Sequence, residues 1–347
     1  MALVYHPGLN TPARPRVSVC IANYNGEKLL QACLDSVWAQ DCDFDFEVLV
    51  HDDASSDSSV DLIRRCYPQV ELLVSYENVG YCVSNNRMVE RARGDFVLLL
   101  NNDAALEKDA IRSLISAAEY GGAPAILTLP QYDWETGDLV DRGCLVDPFF
   151  NPIPNREARA EVAYVIGACL WCPRETWQSL GGFPEWMGSV AEDLYLCGLA
   201  RLRGVEVKAL SMSGYRHRQG SSFGGNRVGA DGLRTTVRRR RLSERNKTLS
   251  LAVLTPGIWV IPILIAHLLA LSVEGALMSL ARRDTRLWRD VYFPAITAPF
   301  HEARALRERR KLVQGTRSIT TRRWFNTVRF QLRKVVLLSR YGVPRVD

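Results

Sequence analysis

Four short polar clusters hold the residues whose types and spacing suit chemistry. They are Asn23-Tyr24-Asn25, His51-Asp52-Asp53 running on to Asp57, Asn101-Asn102-Asp103, and Glu192-Asp193. A histidine, His217, follows Asp193 by 24 positions and sits between two arginines. Carboxylates bind hard divalent cations or move protons. Amides ligate without adding charge, and imidazole suits Mn2+ better than Mg2+. In the Asn-Asn-Asp triplet only Asp103 is a strong hard-cation ligand. A strand-end turn, which favours Asn and Asp, is the competing reading. Glu192 and Asp193 suit a general base at a helix start, or simply complement the helix dipole.

Each cluster must be positioned by the element before it. "RVSVCIAN", "FEVLVHDD", "VELLVSY", "DFVLLLNND" and "PAILTLP" read as strands. Between them "GEKLLQACLDSVWAQ", "SSVDLIRRCY", "GYCVSNNRMVERARG" and "KDAIRSLISAAEYGG" show helical spacing, two of them with glycine stops. This βα alternation predicts a doubly wound, mostly parallel sheet. Ligands bind such sheets at the carboxyl ends of the strands. The topology therefore gathers the polar strand ends on one rim. Residues 1–15, with three prolines, read as a loose lead-in.

With 347 residues the chain can hold one α/β domain and a substantial appendage. Its net charge of +6 hides a split. Residues 1–230 carry 20 Lys/Arg and 30 Asp/Glu, whereas 231–347 carry 24 and 8. The basic part suits an anionic membrane surface. Nucleic acid is disfavoured as partner, because these cations flank an uncharged apolar run, residues 248–273. That run would span about 39 Å as a helix, enough to cross a bilayer. Pro256, Gly257 and Pro262 should kink or break it. Arginines on both sides favour a segment lying in, or dipping into, the cytoplasmic leaflet over a true span. Cys169 and Cys172 make the one Cys-x-x-Cys pair, read as buried reduced thiols rather than zinc ligands. The N-terminus shows no apolar h-region, so no signal peptide is expected.

Across roughly residues 16–220, several pieces in this order resemble the inverting family 2 glycosyltransferases. They are "VSVCIANYNGEKLLQACLDSVWAQ", "FEVLVHDDASSDSS", "ENVGYCVSNNRMVERARGDFVLLLNND" and "IGACLWCPRETWQSLGGFPEWMGSVAEDLYLCGLARLRG". Within that family the chain looks most like the rhamnosyltransferase branch of bacterial surface polysaccharide synthesis. The resemblance implies a GT-A (Rossmann-like) α/β fold with a mixed sheet over residues 16–225. A nucleotide-binding half would cover 16–130 and an acceptor half 131–225. Residues 226–347 would form a basic, helical, membrane-associating region. It implies a nucleotide site at Asn23, Tyr24, Asp53, Asn78, Gly80, Asn86 and Asn102. Tyr24 would stack on a pyrimidine, and Asp53 would accept from its N3–H.

A divalent cation, Mn2+ or Mg2+, would be held by Asp103 with His217 and Asn101. Asp193 would be the catalytic base, with Glu192, Glu185 and Trp186 supporting acceptor and base. In "GGFPE", Pro184 replaces the Asp often found in the family. The implied donor is dTDP-rhamnose or a UDP-sugar, and the acceptor a glycan or lipid-linked hydroxyl. The implied location is the cytoplasmic face of the inner or plasma membrane, peripheral or monotopic. Homo-oligomerisation stays open. The alternative is a catalytically degenerate, membrane-bound scaffold of a glycan assembly complex, which would account for the missing first Asp.

Overall fold

The structure is a computed structural model that describes residues 3–220, 225–229 and 232–347. In chain order the strands that concern the site are β1 (Leu3–His6), β2 (Val17–Asn23), β3 (Phe46–Asp52), β4 (Glu71–Ser75), β5 (Phe96–Asn101) and β6 (Ala104–Leu106). They continue as β7 (Ala125–Thr128), β8 (Gln131–Asp133), β9 (Leu139–Asp141), β10 (Cys169–Pro173), β11 (Glu206–Ala209) and β12 (Tyr215–His217). The helices among them are α1 (Glu27–Trp38), α2 (Ser59–Cys66), α3 (Tyr81–Arg91), α4 (Ala110–Tyr120), α5 (Arg174–Leu180) and α6 (Glu192–Leu202).

Eight strands form the main sheet in the order β1-β4-β3-β2-β5-β10-β7-β11. Strands β4, β3, β2 and β5 run parallel. Strand β10 enters antiparallel between β5 and β7 and makes the sheet mixed. Helices cover the sheet, so the central strands are near-continuous apolar runs: Val17, Val19, Cys20, Ile21 and Leu98–Leu100 are all buried. The helical spacing in α1 buries Leu30, Cys33, Leu34 and Val37 against this core. A second sheet, β6-β12-β8-β9, stands beside the carboxyl end of β5.

One expectation changes. The lead-in is not loose throughout: β1 pairs antiparallel with β4, Leu3 opposite Ser75. Four residues are too few to show a period, and only the exposed edge of β4 supplies their partner. The apolar stretch from residue 162 is strand only at Cys169–Pro173. Cys169 and Cys172 are fully buried and reduced. Three residues apart on a strand, they face opposite sides of the sheet and cannot chelate one ion.

The chain divides into two units. The first takes residues 1–144, 154–197 and 205–222; the second takes 145–153, 198–204 and 223–347. The second is mainly helical: α7 (Val237–Leu254), α8 (Val260–Arg282), α9 (Phe293–His301) and α10 (Ala303–Gly315). The apolar run 248–273 is broken at Thr255–Gly257. Its first part is the buried end of α7, and its second part opens α8. Pro262 sits in the first turn of α8, where its missing N–H costs nothing. Among the described residues, Gly257–Arg282 is the one helical stretch long and apolar enough to cross a membrane by length and composition.

Candidate functional site

Three strand ends meet at the carboxyl rim of the first unit. The ends of β2 and β3 are tied by Asn23, whose Nδ2 donates to Asp52 Oδ2 at 2.8 Å. Asn23 Oδ1 accepts from Asn102 Nδ2 at 2.8 Å, which ties β2 to the turn after β5. Both asparagines are buried. A Cβ on Gly26 would collide with this pair, so the chain entering α1 requires glycine there. Asn23 and Asn102 thus hold the rim together, and the exposed residue beside them is Tyr24.

Asp53, at the end of the β3 run, is also buried. Its two oxygens accept the amide N–H groups of Val79 at 2.7 Å and Gly80 at 2.9 Å. Burial pushes this carboxyl up, and the two amides pull against that. Asn78 donates to the Asp53 carbonyl at 3.3 Å. Gly80 adopts φ +90°, open to glycine at little cost, as α3 begins. Asn86 is placed elsewhere. Its amide donates to Phe183 O (2.9 Å) and Glu185 Oε1 (3.2 Å) and accepts from Phe183 N–H (2.9 Å). It anchors the "GGFPE" loop, in which Glu185 is exposed. Trp186 stacks edge-on against Tyr195 of α6.

Asp103 and His217 are brought together by register. Strand β12 pairs antiparallel with β6, His217 opposite Ala104. His217 Nε2 then lies 3.0 Å from Asp103 Oδ1, with both side chains buried. On the other side of the ring, Nδ1 faces Gln131 Oε1 at 3.2 Å, and that oxygen also accepts the Tyr215 hydroxyl at 2.8 Å. With an Nδ1–H donated to Oε1, the Nε2 lone pair of a neutral ring would face the Asp103 carboxylate. Two acceptors this close suit a shared cation. Neighbouring donors at about 2.1 Å from an octahedral ion lie about 3.0 Å apart. No group of three His, Cys, Asp or Glu occurs here among the described residues.

Asn101 is engaged differently. Its Oδ1 accepts the Tyr81 hydroxyl at 3.0 Å, and the same hydroxyl lies 3.0 Å from Gly167 O. The amide of Gly167 donates to Asp193 Oδ2 at 3.0 Å. Asp193 Oδ1 accepts from the Leu194 amide at 2.7 Å, which fixes the carboxylate plane. One chain of contacts, Asn101–Tyr81–Gly167–Asp193, therefore links the Asn-Asn-Asp triplet to the head of α6. Burial first, then the Glu192 and Asp193 carboxylates, hold the Tyr81 phenol well above its ordinary range, so it stays a donor. Glu192 is buried beside Asp193. Just before them, Val190 and Ala191 adopt φ +72° and +71°. A β-branched residue rarely holds such backbone, and strain of this kind clusters at functional sites.

Sequence reasoning missed Tyr81, Gln131 and Gly167. Tyr81 opens a helix next to a glycine, and Gln131 follows a proline that ends a strand. Neither position has a spacing that betrays it.

Residues 18–180 match the family described as "Glycosyl transferase family 2". The matched stretch is just under half of the chain, which is similar there to that family, and the mixed sheet is the GT-A fold. Over 106 residues it is 31% identical to the uncharacterized glycosyltransferase YfnE of Bacillus subtilis, covering 30% of this chain and 27% of that protein. It therefore spans less than a third of the length of that relative. S. aureus TarS 1-349 in complex with UDP-GlcNAc superposes with a TM-score of 0.52 at 16% identity, over 87% of this chain and 91% of that one. The mannosyltransferase PcManGT of Pyrobaculum calidifontis, in complex with GDP-Man and Mn2+, gives 0.52 at 19% identity over 88% and 89%.

Proposed function

We propose that the protein transfers a sugar from a nucleotide-sugar to an acceptor hydroxyl, with inversion, in the synthesis of a surface polysaccharide or a related polymer. The observation that carries this reading is the Asn101–Tyr81–Gly167–Asp193 chain, which links a fixed carboxylate to the strand end that leads into the Asp103–His217 pair. Half-exposed Tyr24 offers a stacking face for the donor's base. The loop held by Asp53 and Asn78 is tied to the same strand end, because the Asp53 amide donates to Asn23 O at 2.8 Å. Asp103 and His217, with Asn101 beside them, would hold a divalent cation. That ion supplies charge neutralisation for the leaving diphosphate.

Asp193 takes the proton of the acceptor hydroxyl as its oxygen attacks the anomeric carbon. The new C–O bond forms on the face opposite the departing phosphate oxygen, so the configuration inverts. Glu192, Glu185 and Trp186 frame the acceptor side. TarS and PcManGT bind UDP-GlcNAc and GDP-Man with Mn2+ respectively, which supports a nucleotide-sugar donor and a divalent cation. Our reading favours a dTDP- or UDP-linked sugar, rhamnose included, and a glycan or lipid-linked acceptor. The basic charge and exposed apolar helix of the second unit support action at a membrane surface.

The test is release of nucleoside diphosphate from a panel of UDP-, dTDP- and GDP-sugars with Mn2+, with the product anomer read by NMR. We expect turnover with one donor class and an inverted product. No turnover with any of them would leave the scaffold reading standing.

A further inference from the structure

Helix α8 has two unlike faces. His267, Leu271, Gly275 and Met278 are buried. Opposite them Ile261, Ile265, Leu269, Val273, Leu277 and Leu280 are each more than half exposed. Their spacing of three or four residues puts them on one stripe, about 28 Å long at ~1.5 Å per residue. No charged residue interrupts it. An apolar stripe of this length on a water-facing surface marks an interaction site.

One face of the helix is packed. A Cβ on Gly275 would strike Tyr292, so the helix sits hard against its neighbour. Glu274 pairs with Arg240 at 2.6 Å and Lys334 at 2.7 Å. His267 meets the Thr248 hydroxyl at 2.8 Å. A helix gripped along one face presents only a half-cylinder, which suits burial in the plane of one leaflet.

At the head of this stripe lies a cleft of about 430 Å³, lined by Gly257, Arg307, Arg310, Lys311, Gln314 and Arg317. Arg310 donates to the carbonyls of Ala252, Val253, Thr255 and Gly257, and so builds the wall where α7 ends. Burial, and then Arg317, push this guanidinium down. Elsewhere on the same helix Arg304 and Arg309 pair with glutamates. Among the described residues none of the cleft's four cations has an acidic partner. Four uncompensated cations beside an apolar stripe match an amphiphile with an anionic head. The net charge of +16 over residues 231–347 favours the same partner.

We propose that the cleft beside Gly257 receives the phosphate headgroup of an anionic membrane lipid, while the exposed stripe of α8 lies in that leaflet. This rests on the membrane-surface reading above and adds a defined headgroup site to it. The experiment is co-sedimentation of the full chain with vesicles of phosphatidylcholine alone or mixed with phosphatidylglycerol. Four proteins are compared: wild type, Arg307→Glu/Lys311→Glu, Leu269→Asp/Leu277→Asp, and a charge-matched control, Arg64→Glu/Arg65→Glu, on α2. We expect the cleft variant to lose about tenfold or more in affinity for the anionic vesicles only, and the control to stay within about twofold. The stripe variant should lose binding to both vesicles. Equal losses in the cleft variant and the control would overturn the headgroup site while leaving the membrane reading intact. Wild type that sediments with neither vesicle would overturn both. Full displacement from anionic vesicles by inorganic phosphate at constant ionic strength would show an anion site with no preference for lipid, and would overturn the commitment to a headgroup.

Discussion

Asp193 Oδ2 and Oδ1 are each held by a backbone amide, from Gly167 and Leu194. Asparagine at this position can keep the shape but not accept a proton. Asp193→Asn should lower kcat by about 10²–10⁴-fold with donor binding nearly unchanged. A full-activity variant would remove Asp193 from the base role. Tyr81 makes a separate prediction. Its hydroxyl is the link between Asn101 and Gly167, and deleting one buried hydrogen-bonding group costs about 1–3 kcal/mol. In Tyr81→Phe the rim should loosen, with kcat falling more than KM rises and a small drop in the urea midpoint. Lost stability with unchanged kcat would make Tyr81 a core residue only. At this scale the sequence shows residue types but not partners. Asp103 stood out as the one hard-cation ligand in its triplet, whereas Gln131 gave no sign. Its role depends on β12 bringing Tyr215 and His217 against it, a register that no local pattern encodes.

At the scale of elements, the alternation of strands and helices through residue 128 was legible because each segment has a strong period and a clear stop. What was not legible is the insertion of β10 between β5 and β7. An antiparallel strand from much later in the chain leaves no local mark, yet it sets Gly167 and Ala168 beside Asn101. Strand β3 also carries a titrating group with an element-level consequence. His51 is fully buried, 3.2 Å from Ser75 Oγ and 3.4 Å from an Arg87 guanidinium nitrogen. Burial, then the Arg87 cation, push its imidazole from 6.5 down to about 4. The unfolded chain therefore takes up its proton first as pH falls. The stabilisation is complete above pH 6.5 and is lost as pH drops toward 4. The full loss is about 3 kcal/mol, at 1.36 kcal/mol per unit. Urea midpoints measured from about pH 7 to about pH 5 should fall in the wild type and fall less in His51→Gln. Parallel curves would refute this linkage.

At the scale of the whole molecule, the charge split between the two parts of the chain marks two tasks, and the two units follow it only approximately. Segments 145–153 and 198–204 belong to the second unit, although they lie within the expected catalytic stretch. Hydropathy along the chain cannot show this, because a packed segment joins whichever core it touches. The break at Pro256–Gly257 was foreseen in the sequence. The division of labour that results, a buried helix end and then an exposed apolar stripe, was not. The central claim is that the rim holds a cation-assisted nucleoside diphosphate site built on Asp103 and His217. Calorimetric titration of the full chain with UDP, dTDP and GDP, with Mn2+ and then with chelator, tests it most directly. We predict that one of these ligands binds in a Mn2+-dependent way, and that Asp103→Asn abolishes the dependence. Binding that is equally strong in chelator, or unchanged in Asp103→Asn, would contradict the claim.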